Sequence, residues 1–204
     1  MMQLSLPKID QRVADILISV RGAFIEKGFD GASMQDLARA AGMSVGNFYR
    51  YFPSKSAIVE RLIACDIEEM QAEFAEVIKS DRPMQALRVS VHQHIHLHQC
   101  NKDGQLWAEI NAAALRKPEI GLACCHMEQV IVGQLLQVFG AETGLPMAEV
   151  QQRFSTQAAF IVLLVQSAAM IAPTGGPNIA DLTNLILQTI DKTLDDVASA
   201  AVKG

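Results

Sequence analysis

The sequence has few aromatic side chains, little charge and little cysteine. Aromatics make up 5% of the 204 residues, with a single tryptophan, and charged residues 19%, against roughly 25% in an average soluble chain. Half of the residues are hydrophobic, so the scarcity of charge does not signal disorder, which needs low hydrophobicity and high net charge. The four cysteines, Cys65, Cys100, Cys124 and Cys125, show no framework spacing, and reduced thiols in a cytoplasmic protein are expected. The longest nearly uncharged apolar run, 158–172, is interrupted by Gln166 and Ser167 and falls short of the ~20 residues that cross a bilayer. The opening MMQLSLPKID lacks a basic segment followed by an apolar one, so neither a secretory leader nor a membrane partner is expected.

An overall basic balance is missing as well. The net charge is −5, but it is unevenly spread. Residues 1–55 hold seven Lys/Arg and five Asp/Glu, a balance of +2, and residues 56–204 carry −7. A mildly basic end on an acidic chain can meet an anionic polymer through that end alone.

Convincing strand alternation is absent, and helical periodicity runs almost throughout. Val13, Ile16, Leu17, Val20 and Phe24 form one stripe, and Gly28 follows as a stop. Ser33 stands at an N-cap position with Asp36 three residues on, which has the form of a capping box. A short helix reaches about Ala41, Gly42 breaks it, Ser44 caps a second short helix to Tyr51, and Ser54 caps a long one to about Lys79. Breaks at 82–83, 101–104, 117–118, 143–146 and 173–177 divide the remainder into five more helices. The expectation is an all-α chain of about nine helices: residues 1–53 as one domain and 54–204 as another.

The stretch 35–52, QDLARAAGMSVGNFYRYF, has the spacing of a helix-turn-helix. Ala38, four residues before Gly42, lets the second helix approach closely. Gly42 takes the left-handed corner without a Cβ penalty. Leu37 and Phe48, with help from Val45, lock the pair into a core. The second helix then presents Ser44, Gly46, Asn47 and Tyr49 outward, followed by Arg50, Tyr51 and Lys55. Such a face fits a major groove: hydroxyls and cations contact phosphates, while an amide such as Asn47 or an apolar edge such as Val45 reads bases.

Residues 11–63 resemble the DNA-binding domain of TetR-type transcriptional regulators. The resemblance rests on Phe24, Glu26-Lys27-Gly28-Phe29, Ser33, Leu37-Ala38, Ala41-Gly42, Ser44, Gly46, Phe48-Tyr49, Tyr51-Phe52 and Ser54-Lys55. It implies a three-helix DNA-binding head, a helical body for ligand binding and dimerisation, and repression relieved by a small molecule. By the resemblance, Ser33 and Tyr49 contact phosphate. Tyr51 replaces a frequent histidine and keeps a hydrogen-bonding group, and Lys55 lies near the DNA backbone. Val45 stands where a lysine or polar residue is usual. Gln35 and Asn47 are the expected base-edge readers. Met70, Phe74, Trp107, Ile110 and Met127 lie on helices that surround the family's cavity, which makes them wall residues or plain core.

The body offers further candidates. On the helix containing the run His92, His94, His96, His98, the pair His94 and His98 shares the apolar face and is expected to line a pocket, with His92 and His96 outward. His92, His96 and Cys100 have spacings that can chelate a metal, but no metal or cofactor is assigned. Cys124 reads as a small core residue. Helices 146–172 and 178–200 are apolar beyond what one core can bury, so a homodimer through them is expected, holding two heads about one helical turn apart on a pseudo-palindromic operator. The alternative is a helical metal- or thiol-dependent sensor or enzyme built on the histidine run. It is disfavoured because no glutamate stands three residues before any histidine, as a di-metal carboxylate bundle requires. No enzyme activity is expected. A third reading is a DNA-binding dimer without an effector.

Overall fold

A computed structural model describes residues 11–100, 103–171 and 178–200. Among them the chain is all-α: α1 Gln11–Gly31, α2 Met34–Ala40, α3 Val45–Tyr51, α4 Lys55–Lys79, α5 Pro83–Cys100, α6 Asp103–Ala114, α7 Pro118–Thr143, α8 Met147–Ile171 and α9 Ile179–Ala200. The expected stops and caps are in place. Gly28 leaves helical geometry at φ 72°, ψ 165°. The Ser54 hydroxyl accepts from the Ala57 amide at 3.1 Å and caps α4. Pro83 and Pro118 each open a helix, where a missing N–H costs nothing. Residues 101–102 and the break at 172–177 lie outside the described residues.

Packing divides the chain into two compact units, a division different from the one drawn at residue 54 on charge and helix length. The first unit holds residues up to 69 together with 106–127. Its interior is made by Ile16, Leu17, Val20, Phe24 and Phe29 of α1, Leu37 and Ala38 of α2, Phe48 of α3, and Ile58, Val59, Leu62 and Ile63 of α4. Leu106, Ile110 and Ala113 of α6 are buried as well. Two ring pairs brace it, Phe24–Phe29 at 5.9 Å and Phe48–Phe52 at 5.5 Å. Arg21 pairs with Asp66 between α1 and α4.

The second unit holds residues 70–105 and those from 128 onward. Leu87 and Ile95 of α5, Leu135, Val138 and Phe139 of α7, Phe154, Ala158 and Ile161 of α8, and Ile190 and Leu194 of α9 form its core. Among the described residues α7 is the one helix long and apolar enough, by length and composition, to cross a membrane. That differs from the segment singled out on sequence. Arg88 ties α5 to α9 through Asp191 at 2.8 Å and Asp195 at 2.5 Å.

Two glycines separate conformational from steric need. Gly42 has φ 64° with nothing within 4 Å of where a Cβ would sit, whereas at Gly28 a Cβ would stand 2.9 Å from the Glu109 carboxylate. Gly42→Ala should therefore cost about 1–2 kcal/mol, the left-handed penalty alone. Gly28→Ala should cost roughly 3 kcal/mol, since it adds a displaced charged acceptor to a backbone region almost confined to glycine. Urea unfolding of the two variants side by side checks the order; equal costs would contradict it.

Candidate DNA-binding face

The face is built from two short helices and the corner between them. Ser33 opens α2 as a complete capping box: its hydroxyl accepts from the Asp36 amide at 3.1 Å, and the Asp36 carboxylate accepts from the Ser33 amide at 3.1 Å. At the other end the Met43 amide donates to the Ala38 carbonyl at 2.9 Å and the Gly42 amide to the Arg39 carbonyl at 3.0 Å. This is the Schellman arrangement, which satisfies the last carbonyls of a helix and needs a left-handed residue such as Gly42. Ser44 then caps α3 by accepting from the Asn47 amide at 3.4 Å. Leu37, Ala38 and Phe48 are wholly buried, so the two helices are locked as expected.

The opposite side of α3 faces water. Ser44, Gly46, Asn47, Tyr49 and Tyr51 are exposed, as are Ser33 and Gln35 on the α2 side. Tyr49 is 48% and Tyr51 40% exposed, so both phenolic hydroxyls are accessible from the face. Gly46 leaves open space over the backbone. Val45 is half-buried and divides between core and face. Lys55 has a task inside the chain: its ammonium donates to the carbonyls of Phe29 at 2.6 Å and Asp30 at 3.1 Å and stands over the Phe29 ring. The C-terminal carbonyls of α1 attract a cation there, so Lys55 ties α4 to α1 as well as lying near the face.

A sequence profile described as "Bacterial regulatory proteins, tetR family" matches residues 20–62. The "HTH-type transcriptional regulator UidR" of Escherichia coli K12 is 31% identical over 106 residues. Residues 20–62 are thus similar to the tetR family of bacterial regulatory proteins. The UidR match covers 52% of this chain and 53% of UidR, about half the length of each. Among solved structures, Salmonella enterica GusR superposes with a TM-score of 0.66 at 21% identity, covering 95% of this chain and 98% of GusR. A complex of SmeT with triclosan gives 0.72 at 16% identity, covering 92% of this chain and 91% of SmeT. Likeness at such identities is likeness of fold.

The residues expected to line a pocket fall in both compact units. Met70 and Phe74 of α4 and His94 of α5 belong to the second unit; Trp107 and Ile110 of α6 and Met127 of α7 belong to the first. Ile110 and Met127 are buried and Met70, Phe74 and Trp107 half-buried. His94 corrects the reading, because it is exposed while His92 is the half-buried one. Both flank the stripe of Leu87 and Ile95, and the flanks are unequal: α9 lies against the His92 side, where Asp191 bonds His92 Nε2 at 3.0 Å. The side chains of His98 and Cys100 lie outside the described residues. Among the described residues no three His, Cys, Asp or Glu side chains converge as a metal site. Burial raises the Cys124 thiol, with Cys125 adding to the effect, and pushes Cys65 up to about 11, so neither is poised as a thiolate at neutral pH.

Sequence reasoning missed the charge holding Asp36. Lys27 reaches it at 2.6 Å and Arg39 at 3.5 Å. The Lys27 ammonium above all, then the Ser33 hydroxyl and amide, hold the Asp36 carboxyl well below the usual carboxylate range. A carboxyl more acidic folded than unfolded binds fewer protons when folded. Its contribution is complete above the unfolded value, about 3.9, and is lost as pH falls below it toward the lowered folded value. Melting at pH 6, 4 and 3 should show the wild type losing more stability than Asp36→Asn on that descent. Parallel losses would mean that the Lys27–Asp36–Ser33 network does not form in solution.

Proposed function

We propose that the chain is a ligand-responsive, DNA-binding transcriptional regulator, most simply a repressor acting in the cytoplasm. The observation that carries the reading is the exposed row Ser44, Gly46, Asn47 and Tyr49 on α3, held outward by buried Leu37, Ala38 and Phe48. A short helix braced in this way is the part of a helix-turn-helix that enters a major groove. The match to a relative named as a transcriptional regulator supports it. In this reading Asn47 and Gln35 read base edges, with Val45 offering an apolar edge to a thymine methyl. Ser33, Ser44, Tyr49 and Tyr51 contact phosphate, and Lys55 adds charge at the entry to α4.

A small-molecule effector is part of the proposal, supported by the fold shared with SmeT, whose structure holds triclosan. Within the first unit Trp107, Ile110 and Met127 are the candidate wall residues, and within the second Met70 and Phe74 are. The effector acts only by its difference in affinity for two states of the body. A homodimer is proposed through α8 and α9. Phe160, Leu163 and Met170 form an exposed apolar row on α8, and Leu182 and Leu185 another on α9, with Leu163 57% and Leu185 59% exposed. Their opposite faces already fill the core of the second unit, so these rows suit a second copy. The thiol- or metal-dependent alternative has no observation in its favour.

Genomic-fragment capture followed by gel shift should retain a pseudo-palindromic duplex. Asn47→Ala should then weaken retention about tenfold and relax preference at one position, a loss of roughly 1–3 kcal/mol. Tyr49→Phe should weaken every sequence alike, and retention of no fragment even at low salt would overturn the reading. The double substitution Leu163→Glu with Leu185→Glu should sediment as a monomer and lose the palindrome while keeping its helical signal; a persistent dimer would place the interface elsewhere.

A further inference from the structure

The peptide unit of Phe29 is held from both sides. Its N–H donates to Glu109 Oε2 of α6 at 2.9 Å, across eighty residues of sequence. Its carbonyl accepts from Lys55 of α4 at 2.6 Å. The next residue, Asp30, pairs its carboxylate with Arg116, just beyond α6, at 2.7 Å. The Phe29 ring is buried and stacked on Phe24. Only glycine at position 28 lets the carboxylate come this close, since a Cβ there would stand 2.9 Å from Oε2. Four residues beyond Phe29, Ser33 caps α2. The direction in which α2 and α3 leave α1 is therefore set at a corner that α6 grips by a charge-assisted bond. Such bonds are short and strong, and a shift of about 1 Å takes 2.9 Å beyond hydrogen-bonding range.

Glu109 lies between Trp107 and Ile110 on the same helix, the latter buried and the former half-buried. Successive helical residues point about 100° apart, so one turn of α6 carries the carboxylate that holds the corner and two side chains proposed for the effector wall. We propose that Glu109 is a positioning residue for DNA recognition: through the Phe29 amide it links the state of α6 to the fit of the reading face. The proposal rests on the regulator reading for its consequence on DNA, but its structural part stands without it. Linkage is reciprocal. An effector that moves α6 alters the face, and a duplex that seats the face alters α6. Trp107, the only tryptophan in the chain, stands two residues from Glu109 and reports the second effect.

The test uses the full chain as wild type, Glu109→Ala and Glu109→Gln, whose amide oxygen still accepts. Amide exchange should rise tenfold or more in Glu109→Ala across residues 33–52 as well as 28–32, and Glu109→Gln should stay within about threefold of wild type. With the fragment retained by wild type, Glu109→Ala should bind at least tenfold more weakly. Its Trp107 emission should no longer respond to DNA, whereas that of Glu109→Gln should. Exchange changes confined to 28–32 with unaltered affinity would overturn the proposal, leaving Glu109 a local brace. Identical loss in the two variants would overturn it also, because an isosteric side chain that keeps the acceptor would then not hold the Phe29 amide. If wild type retains no DNA, the regulator reading falls, and the exchange pattern across 33–52 alone decides whether Glu109 holds the head.

Discussion

The left-handed turn at Gly42 is the constraint on which the reading face depends. It lets the amides of Gly42 and Met43 fold back onto Arg39 and Ala38, so α2 ends with its carbonyls satisfied in two residues of chain. Only then can Ser44 begin α3 at once, and only with so short a link do Leu37 and Phe48 meet in one core. Burying those two side chains contributes a few kcal/mol, enough to hold a pair of seven-residue helices that would be marginal alone. Asn47 and Tyr49 are exposed because Phe48 is buried: on a helix the neighbours of an inward residue must point elsewhere.

What could be read from the sequence was local. Ser33, Ser44 and Ser54 announce helix starts because a cap acts within three residues, and Gly28 and Gly42 announce corners because a positive φ is a property of one residue. The all-helical class followed from periodicity, and the outward row of α3 from the inward position of Phe48. The histidine run was only half legible. Its apolar stripe is Leu87 and Ile95, but which flank is covered is decided by α9, about a hundred residues later, through Asp191. The contacts of Glu109 with Phe29, Arg116 with Asp30 and Ser56 with Glu119 join residues 63 to 86 positions apart. No spacing rule covers such distances, and an exposed-looking acid on an amphipathic helix carries no mark of its partner.

Both units tie their helices with charge. In the second, charge is used as a cross-tie: Arg88 joins α5 to α9 through two aspartates, and His92 shares one of them. These pairs are partly exposed and contribute modestly to stability, but they fix which side of α9 turns toward α5 and so which side is left apolar and uncovered. In the first, Arg21–Asp66 and Arg116–Asp30 are cross-ties of the same kind, and charge is also used at backbone termini. Lys55 and Glu109 bond to main-chain groups of α1 rather than to each other, which sets the position of a corner more tightly than a contact between two flexible side chains.

The same economy bears on how the head meets a polyanion. Of the basic side chains near the face, Arg50 is exposed on α3, Lys27 and Arg39 share the one carboxylate of Asp36, Lys55 lies on carbonyls of α1, and Arg21 pairs with Asp66. A cation paired with a carboxylate displaces fewer condensed counterions from a duplex, whereas one held by uncharged carbonyls keeps its full charge, and each displaced ion steepens the fall of affinity with salt. The exposed hydroxyls and amide of α3 then share the contact with Arg50 and Lys55, so the salt dependence of association through this head should reflect those few unbalanced cations.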